Sequence, residues 1–214
     1  MTLSKYAFEL IEINVCMNQD ISVKNYPANP FEFFKEWFEE ASQSKSIEDA
    51  NALNLATCSK SGRPSTRVVL LKKYDSDGMV FFTNGNSHKG RDLLENPFAE
   101  MCFYWPQLGK QIRIYGAIHQ VSTEESNKYF LSRNIESQIA SSLSNQSSVL
   151  ESYSKLKDQF LSRPRTPLER PLHWYGLRLV PKEFEFWLDG EHRLHLRHKF
   201  IKTNNHWNHQ FLYP

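Results

Sequence analysis

Four groups of residues carry side chains whose types and spacing suit anion or proton chemistry. Near the C-terminal end, Arg193, His195 and Arg197 alternate with Leu194 and Leu196 after the turn signal Asp189-Gly190. Period-two alternation predicts a strand with the leucines on a core-facing side and two guanidinium groups and an imidazole in a row on the other. Arginine can fork a phosphate or carboxylate, and histidine can donate or accept a proton near neutral pH. Long cationic side chains also cover ordinary solvated strands, so the row by itself fits either reading. Arg67 and Lys72 stand five apart in one predicted strand, on opposite faces unless a bulge intervenes. Ser87, His88 and Lys89 open a helix, where free N–H groups and the helix dipole favour an anion; an ordinary cap reads the same way. Tyr129, Arg133 and Ser137 recur every four residues and share a face only if their helix runs on unbroken, a solvated face being the other reading.

The elements that must position these groups follow from local signals. Residues 1 to about 26 have weak periodicity and read as a mobile or ligand-dependent arm. Asn29 caps a helix with Pro30 at its first position and Glu32 at its third, and Phe31, Phe34, Trp37, Phe38 and Ala41 form its apolar stripe. Strands are predicted over 51–59, 65–74, 79–83, 99–105 and 111–121, with Asp75-Ser76-Asp77-Gly78 a hairpin turn. Ser122 to Glu125 has capping-box spacing, and a further helical segment runs from Gln146 to about Leu161. After a loop with three prolines (162–171), strands over 174–180, 183–188, 194–202 and 207–213 complete the chain. About eight strands in hairpin-like succession, without strand–helix–strand repeats, predict a mainly β protein: an antiparallel barrel with peripheral helices.

Totals exclude several classes. With 214 residues, 40% hydrophobic content and a net charge of +2, the chain suits one barrel-sized domain but lacks the dense basic stripe of a sequence-blind nucleic-acid binder. Cys16, Cys58 and Cys102 are odd in number and widely spaced, forming neither a disulfide framework nor a metal cluster, which points to a reducing, cytoplasmic setting. Glu9 and Glu12 interrupt the N-terminal apolar residues, and no apolar run approaches the roughly 20 residues of a membrane span, so no membrane partner is expected. His206 and His209 are too isolated for a metal site, and neither glycine-rich nucleotide cradle is present. Trp105 and Trp174 read as core; Asp189 and Glu191 follow a turn and read as exposed rather than catalytic.

Taken together, these segments resemble the pyridoxine/pyridoxamine 5′-phosphate oxidase family of flavoproteins, which has the FMN-binding split-barrel fold. The resemblance runs from about Pro27 to the C-terminus. It rests on Arg67 to Lys72, Phe82-Thr83-Asn84, Ser87-His88-Lys89, Gln111, Tyr129-Phe130 with Ser132-Arg133, Glu136-Ser137-Gln138, Gln146-Ser147, and Phe186-Trp187 followed by Gly190 to His195.

The resemblance implies a flexible arm over 1–26 and one split-barrel domain over 27–214. FMN would be held by Arg67, Val68, Val69, Leu70, Leu71, Lys72, Phe82, Thr83, His88, Lys89, Gln111, Gln146, Ser147, Trp187 and Arg197. The vitamer phosphate would be held by Lys72, Tyr129, Arg133 and Ser137, with Arg193 and His195 as catalytic residues over the pyridine ring. A homodimer with FMN at the subunit interface is implied, oxidising pyridoxamine or pyridoxine 5′-phosphate at C4′ and passing electrons to O2 as hydrogen peroxide. No metal is expected. Two other readings use the same barrel: a non-catalytic flavin- or pyridoxal-phosphate-binding protein, and a flavin reductase for another substrate. The chain departs from the family pattern at His88, where an arginine is expected, and at its weakly basic arm, which holds only Lys5 and Lys24.

Overall fold

The first helix of the described residues has a cap that the sequence sets. The computed structural model describes residues 26–214, so the arm expected over 1–26 lies outside the described residues except for Tyr26. Helix α1 (Pro30–Gln43) begins where Asn29 accepts a hydrogen bond from the Phe31 N–H at 3.0 Å, with Pro30 in the first turn. Its buried face carries Phe33, Phe34, Trp37 and Ala41. Phe33 is added to the expected stripe, and Phe31 and Phe38 pack at its margin. Phe34 packs edge-on against Tyr74 and Phe103, while Phe33 stacks on Phe186 at 4.2 Å.

Nine strands form one antiparallel sheet: β1 (Ala52–Cys58), β2 (Pro64–Leu70), β3 (Lys73–Asp75), β4 (Gly78–Asn84), β5 (Phe98–Trp105), β6 (Lys110–Gln120), β7 (Trp174–Leu188), β8 (Leu196–Thr203) and β9 (His206–Leu212). The order is β2-β1-β5-β6-β7-β4-β3, and β8 pairs with β7 and β9. The single strand expected over 65–74 is two strands. At Leu71 the backbone N–H still donates to Asn51 on the β1 side, and one residue later the Lys72 N–H donates to Val80 of β4, at 2.8 Å in each case. One bent segment therefore carries both terminal strands of the sheet, β2 paired with β1 and β3 paired with β4, and curls the sheet into a barrel.

The two strands expected over 174–180 and 183–188 are one 15-residue strand, β7. Its pairing with β6 shifts register between Tyr115 and Gly116, opposite Pro181 and Glu183, so Lys182 is the extra residue of a bulge. Proline, lacking an N–H, fits such a bulge without ending the strand. Gly116 is required there, since a Cβ would lie 2.2 Å from the Val180 carbonyl oxygen. Along its other edge, β7 pairs with β4 over Trp174–Leu179 and with β8 over Glu183–Leu188, which splits the barrel wall.

Four more helices cover the wall: α2 (His88–Glu95), α3 (Thr123–Ser132), α4 (Ile135–Leu143) and α5 (Tyr153–Ser162). Ser87 and Ser122 cap α2 and α3, accepting from the backbone N–H groups of Gly90 and Glu125. The segment expected to start at Gln146 becomes helical only at Tyr153, after the Ser152 cap. None of the described helices is long and apolar enough to cross a membrane.

The row at Arg193 is corrected. Glu191–Arg193 is a 3-10 turn with His192 and Arg193 at φ 54° and 65°, and β8 starts only at Leu196. Leu194 is 72% exposed, so it supplies no core face. The turn interrupts the period-two alternation before it can set a common face.

Phe34 is fully buried. Phe34→Ala should lower unfolding stability by about 3–5 kcal/mol, read as a shift in denaturant midpoint with the slope unchanged.

Candidate functional site

A cavity of about 940 Å³ lies between the closing bend of the barrel and its helical cover. Arg67, Val68, Val69, Leu70 and Lys72 line it from the bend, and Phe82 and Thr83 from β4. The bend answers the spacing problem: Arg67 and Lys72 reach one cavity because the chain breaks between them. Leu71, in that break, is buried in the hydrophobic core and is absent from the lining. Arg67 is held rigidly. Its Nη1 donates to Thr57 Oγ1 at 2.7 Å and the Leu55 carbonyl at 3.2 Å, and its Nη2 donates to Ser65 Oγ at 2.7 Å. Thr57 in turn donates to buried Asp92 at 2.6 Å, whose carboxylate lies 4.0 Å from the guanidinium.

The start of α2 forms one end of the cavity. Lys89 is only 8% exposed. Its Nζ donates to Ser87 Oγ at 3.1 Å and Gln146 Oε1 at 2.8 Å, and no carboxylate pairs with it among the described residues. Burial, with Arg67 nearby, holds the ammonium down at about 8. The His88 N–H donates to Ser147 Oγ at 3.2 Å, and the His88 ring stands 3.5 Å from Asp92. Ser147 sits at φ 72°, in the left-handed region, which brings its hydroxyl back to the helix start. A buried ammonium with neutral partners beside a second cation is under-compensated; a phosphate at a helix N-terminus supplies the missing charge. The donor set fits the 5′-phosphate of FMN.

The opposite wall comes from a broken helix. Tyr129 lies on α3, Arg133 is its C-cap, and Ser137 lies in the first turn of α4, so the three are not on one continuous helix. The break nevertheless brings all three to the cavity. Buried Gln138 secures it, donating to the Arg133 carbonyl at 2.9 Å and accepting from the Leu168 N–H at 3.0 Å. Asn134 caps α4 by accepting from the Ser137 N–H at 2.8 Å. Tyr129 stacks on Phe82 at 4.0 Å, and Phe82 stacks on Trp174. The Arg133 guanidinium lies 4.8 Å from the Trp174 ring centroid and donates to Ser141 at 2.7 Å; burial lowers its affinity for the proton. Trp174, which composition assigns to the core, is buried and also lines the cavity. Asn134, Ser141 and Ser144 line it too, and the sequence reading did not single them out.

The remaining candidates form a second group. Gln111 pairs in register with Trp187, and Trp187 with Arg197, giving a row across β6, β7 and β8. Arg197 forks Glu185 at 2.7 and 3.0 Å and donates to the Tyr213 carbonyl at 2.9 Å. The His195 ring packs on Trp187 at 4.6 Å, and Arg193 is exposed on the 3-10 turn. None of Gln111, Trp187, Arg193, His195 and Arg197 lines the 940 Å³ cavity. No cluster of three or more metal-ligating side chains occurs among the described residues.

A curled antiparallel sheet split along one wall, with a cation-lined cavity at its bend, defines a protein of the split-barrel fold. The comparisons agree. The family described as Pyridoxamine 5′-phosphate oxidase matches residues 39–161, and a Pyridoxine 5′-phosphate oxidase C-terminal dimerisation region matches residues 174–214. The chain is 42% identical over 194 residues to a pyridoxine/pyridoxamine 5′-phosphate oxidase of Ehrlichia ruminantium, covering 87% of this chain and 98% of that one. It is 41% identical to one of Myxococcus xanthus, covering 88% and 93%. Among solved structures, PhzG from Burkholderia lata, in complex with tetrahydrophenazine-1-carboxylic acid, superposes with a TM-score of 0.83 at 32% identity, covering 89% and 95%. A pyridoxamine 5′-phosphate oxidase-related, FMN-binding protein of Nostoc punctiforme shares the fold, with a TM-score of 0.74 at 18% identity, covering 88% and 100%. The chain belongs to the pyridoxine/pyridoxamine 5′-phosphate oxidase family, a family of oxidoreductases.

Lys89 also leaves a mark on stability. Its folded pKa of about 8 lies below the ordinary 10.5, so the unfolded chain binds more protons between those values. The penalty is complete below about 8 and is relieved as pH rises toward 10.5. In ligand-free protein, the stability advantage of Lys89→Met over the unmutated chain should therefore shrink across that window, by at most about 1.4 kcal/mol per pH unit. Paired denaturant titrations check this.

Proposed function

We propose that the protein is an FMN-dependent pyridoxamine/pyridoxine 5′-phosphate oxidase of the cytoplasm, acting in vitamin B6 metabolism. The observation that supports it most is one cavity lined by enough anion donors for two phosphates: Arg67, Lys89, Gln146 and Ser147, and in addition Lys72, Tyr129, Arg133 and Ser137. A cofactor phosphate and a substrate phosphate together need such a set. Each charge-assisted hydrogen bond contributes on the order of 1.5–3 kcal/mol, enough for three or four to anchor a small phosphate ester.

FMN, when bound, supplies the electron acceptor for oxidation at C4′ of the substrate, and O2 regenerates it with release of hydrogen peroxide. Arg67 and Lys89, with the backbone at the start of α2 and the Ser147 hydroxyl, hold the cofactor phosphate. Thr83, buried in β4, and Gln146 add polar contacts. Lys72, Arg133 and the Tyr129 and Ser137 hydroxyls hold the vitamer phosphate and thereby fix the distance of C4′ from the flavin. Arg193 orients the substrate and offsets developing charge, and His195 handles a proton. The second group completes the site from another copy of the chain: Gln111, Trp187 and Arg197 would meet the flavin of the partner, with Arg193 and His195 over its substrate. The match of residues 174–214 to a dimerisation region supports this homodimeric arrangement.

Purified protein should be yellow, and pyridoxamine 5′-phosphate added without oxygen should bleach the flavin absorbance. An oxidised spectrum that persists removes this reading. Arg193→Ala should slow that bleaching by about 100-fold or more, within the range of a lost transition-state contact, while FMN affinity by fluorescence titration changes less than about threefold. Equal losses would place Arg193 in the cofactor site instead.

A further inference from the structure

Trp174 reads from sequence as a core residue, and only 6% of it is exposed. It also lines the cavity, together with Tyr129, Arg133 and Ser137. Its ring is held by neighbours: Phe82 stacks on it at 5.3 Å with the planes 13° apart, and Phe130 meets it edge-on at 5.2 Å. Its backbone opens β7, the N–H donating to the Pro171 carbonyl at 2.9 Å and the carbonyl accepting from Arg170. Arg133 lies over this ring, 4.8 Å from its centroid, and its Nη1 donates to Ser141 Oγ at 2.7 Å. Phe82 carries Tyr129 as well, at 4.0 Å, so one aromatic row supports two of the four donors assigned to the substrate phosphate.

A carboxylate partner would also hold an arginine in place, but it would cancel the charge. Arg113, Arg178 and Arg197 are held that way, by Glu100, Asp75 and Glu185. Among the described residues no carboxylate pairs with Arg133; an aromatic face and a hydroxyl hold it instead. The face of an indole attracts a cation through its quadrupole and brings no net charge. A guanidinium held so keeps its charge for an incoming phosphate. We propose that Trp174 is a positioning residue for the substrate phosphate, its π face fixing Arg133 in the cavity without neutralising it. The inference rests on the oxidase reading for the identity of the ligand, but the hold on Arg133 is a property of the chain itself. Trp174 acts through Arg133 and touches no reacting atom in this scheme.

The test uses FMN-loaded protein, so that the donors assigned to the cofactor phosphate are taken. Two probes are read: inorganic phosphate by calorimetric titration, and pyridoxamine 5′-phosphate by the concentration that half-saturates anaerobic flavin reduction. Fluorinated tryptophans with one, two and three fluorine atoms, placed at position 174, keep the ring's shape and progressively withdraw its π electron density. Affinity for both probes should fall stepwise, by about threefold or more across the series. The limiting rate of reduction should stay within about twofold, the split expected of a group acting on binding rather than chemistry. In an Arg133→Ala background the series should be flat. Trp174→Leu, which removes the π face, should weaken both probes by about fivefold or more, and Trp174→Phe, which keeps a smaller one, should weaken them less. A fluorination series without a trend, a trend that persists in Arg133→Ala, or an affinity that rises with fluorination overturns the proposal. If Trp174→Leu fails to fold, the fluorination series decides alone. If unmutated FMN-loaded protein is not reduced by the vitamer, the oxidase reading fails, and the inorganic phosphate titration still decides whether Trp174 positions Arg133.

Discussion

The structure depends on one exchange of hydrogen-bond partners. Leu71 is still bonded to the β1 side and Lys72 is already bonded to β4, so two residues join the ends of the sheet. The sheet curls around this bend and buries Leu53, Leu55, Met79, Phe81, Ile112 and Ile114 in a common core. The same turn of the chain decides the chemistry. Without it, alternation would send Arg67 and Lys72 to opposite faces; with it, both line the cavity.

Holding cations together in a partly buried cavity is costly, and the structure meets that cost with a small set of fixed partners. Asp92 is the buried counter-charge, anchored by Thr57 and approached by Arg67 and His88. Lys89 lies further along the same helix turn with only Ser87 and Gln146 against it. Burial beside Arg67 lowers its proton affinity, and the same lack of a paired carboxylate leaves a positive charge that an anion can compensate. On the other wall, the Trp174 face and the Ser141 hydroxyl offset part of the hydration that Arg133 loses, and its proton affinity stays lowered.

The split in the wall has its own consequence. Because β7 pairs with β4 at one end and β8 at the other, its C-terminal half carries Trp187 and, through register, Gln111 and Arg197 away from the cavity. Glu185 fixes the orientation of Arg197 and also pairs with Arg113. The 3-10 turn at Glu191–Arg193 then sets where Arg193 and His195 stand relative to that row, through backbone geometry that neither alternation nor charge pattern encodes.

Much was legible in the sequence. Asn29, Ser87 and Ser122 announced their helices because a cap is a local bond between a side chain and an N–H two or three residues away. The apolar stripe at Phe34, Trp37 and Ala41 and the mainly antiparallel strand succession came from periodicities that burial enforces. The family resemblance named cavity residues from Arg67 to Ser147 that no spacing rule could gather. The tertiary structure alone decided the rest. It cut the 65–74 strand at Leu71, joined 174–188 through a bulge at Lys182, broke the helix at Arg133 and replaced the expected strand at Arg193 with a turn. Three of these are changes of hydrogen-bond partner between segments distant in the chain, or left-handed backbone steps held by their surroundings; the break at Arg133 is local, with extended backbone at Arg133 and Asn134 and the Asn134 side chain capping the next helix. Local pattern records which face a side chain prefers; it does not record which neighbour the backbone will pair with next, and the cavity is built where those partners change.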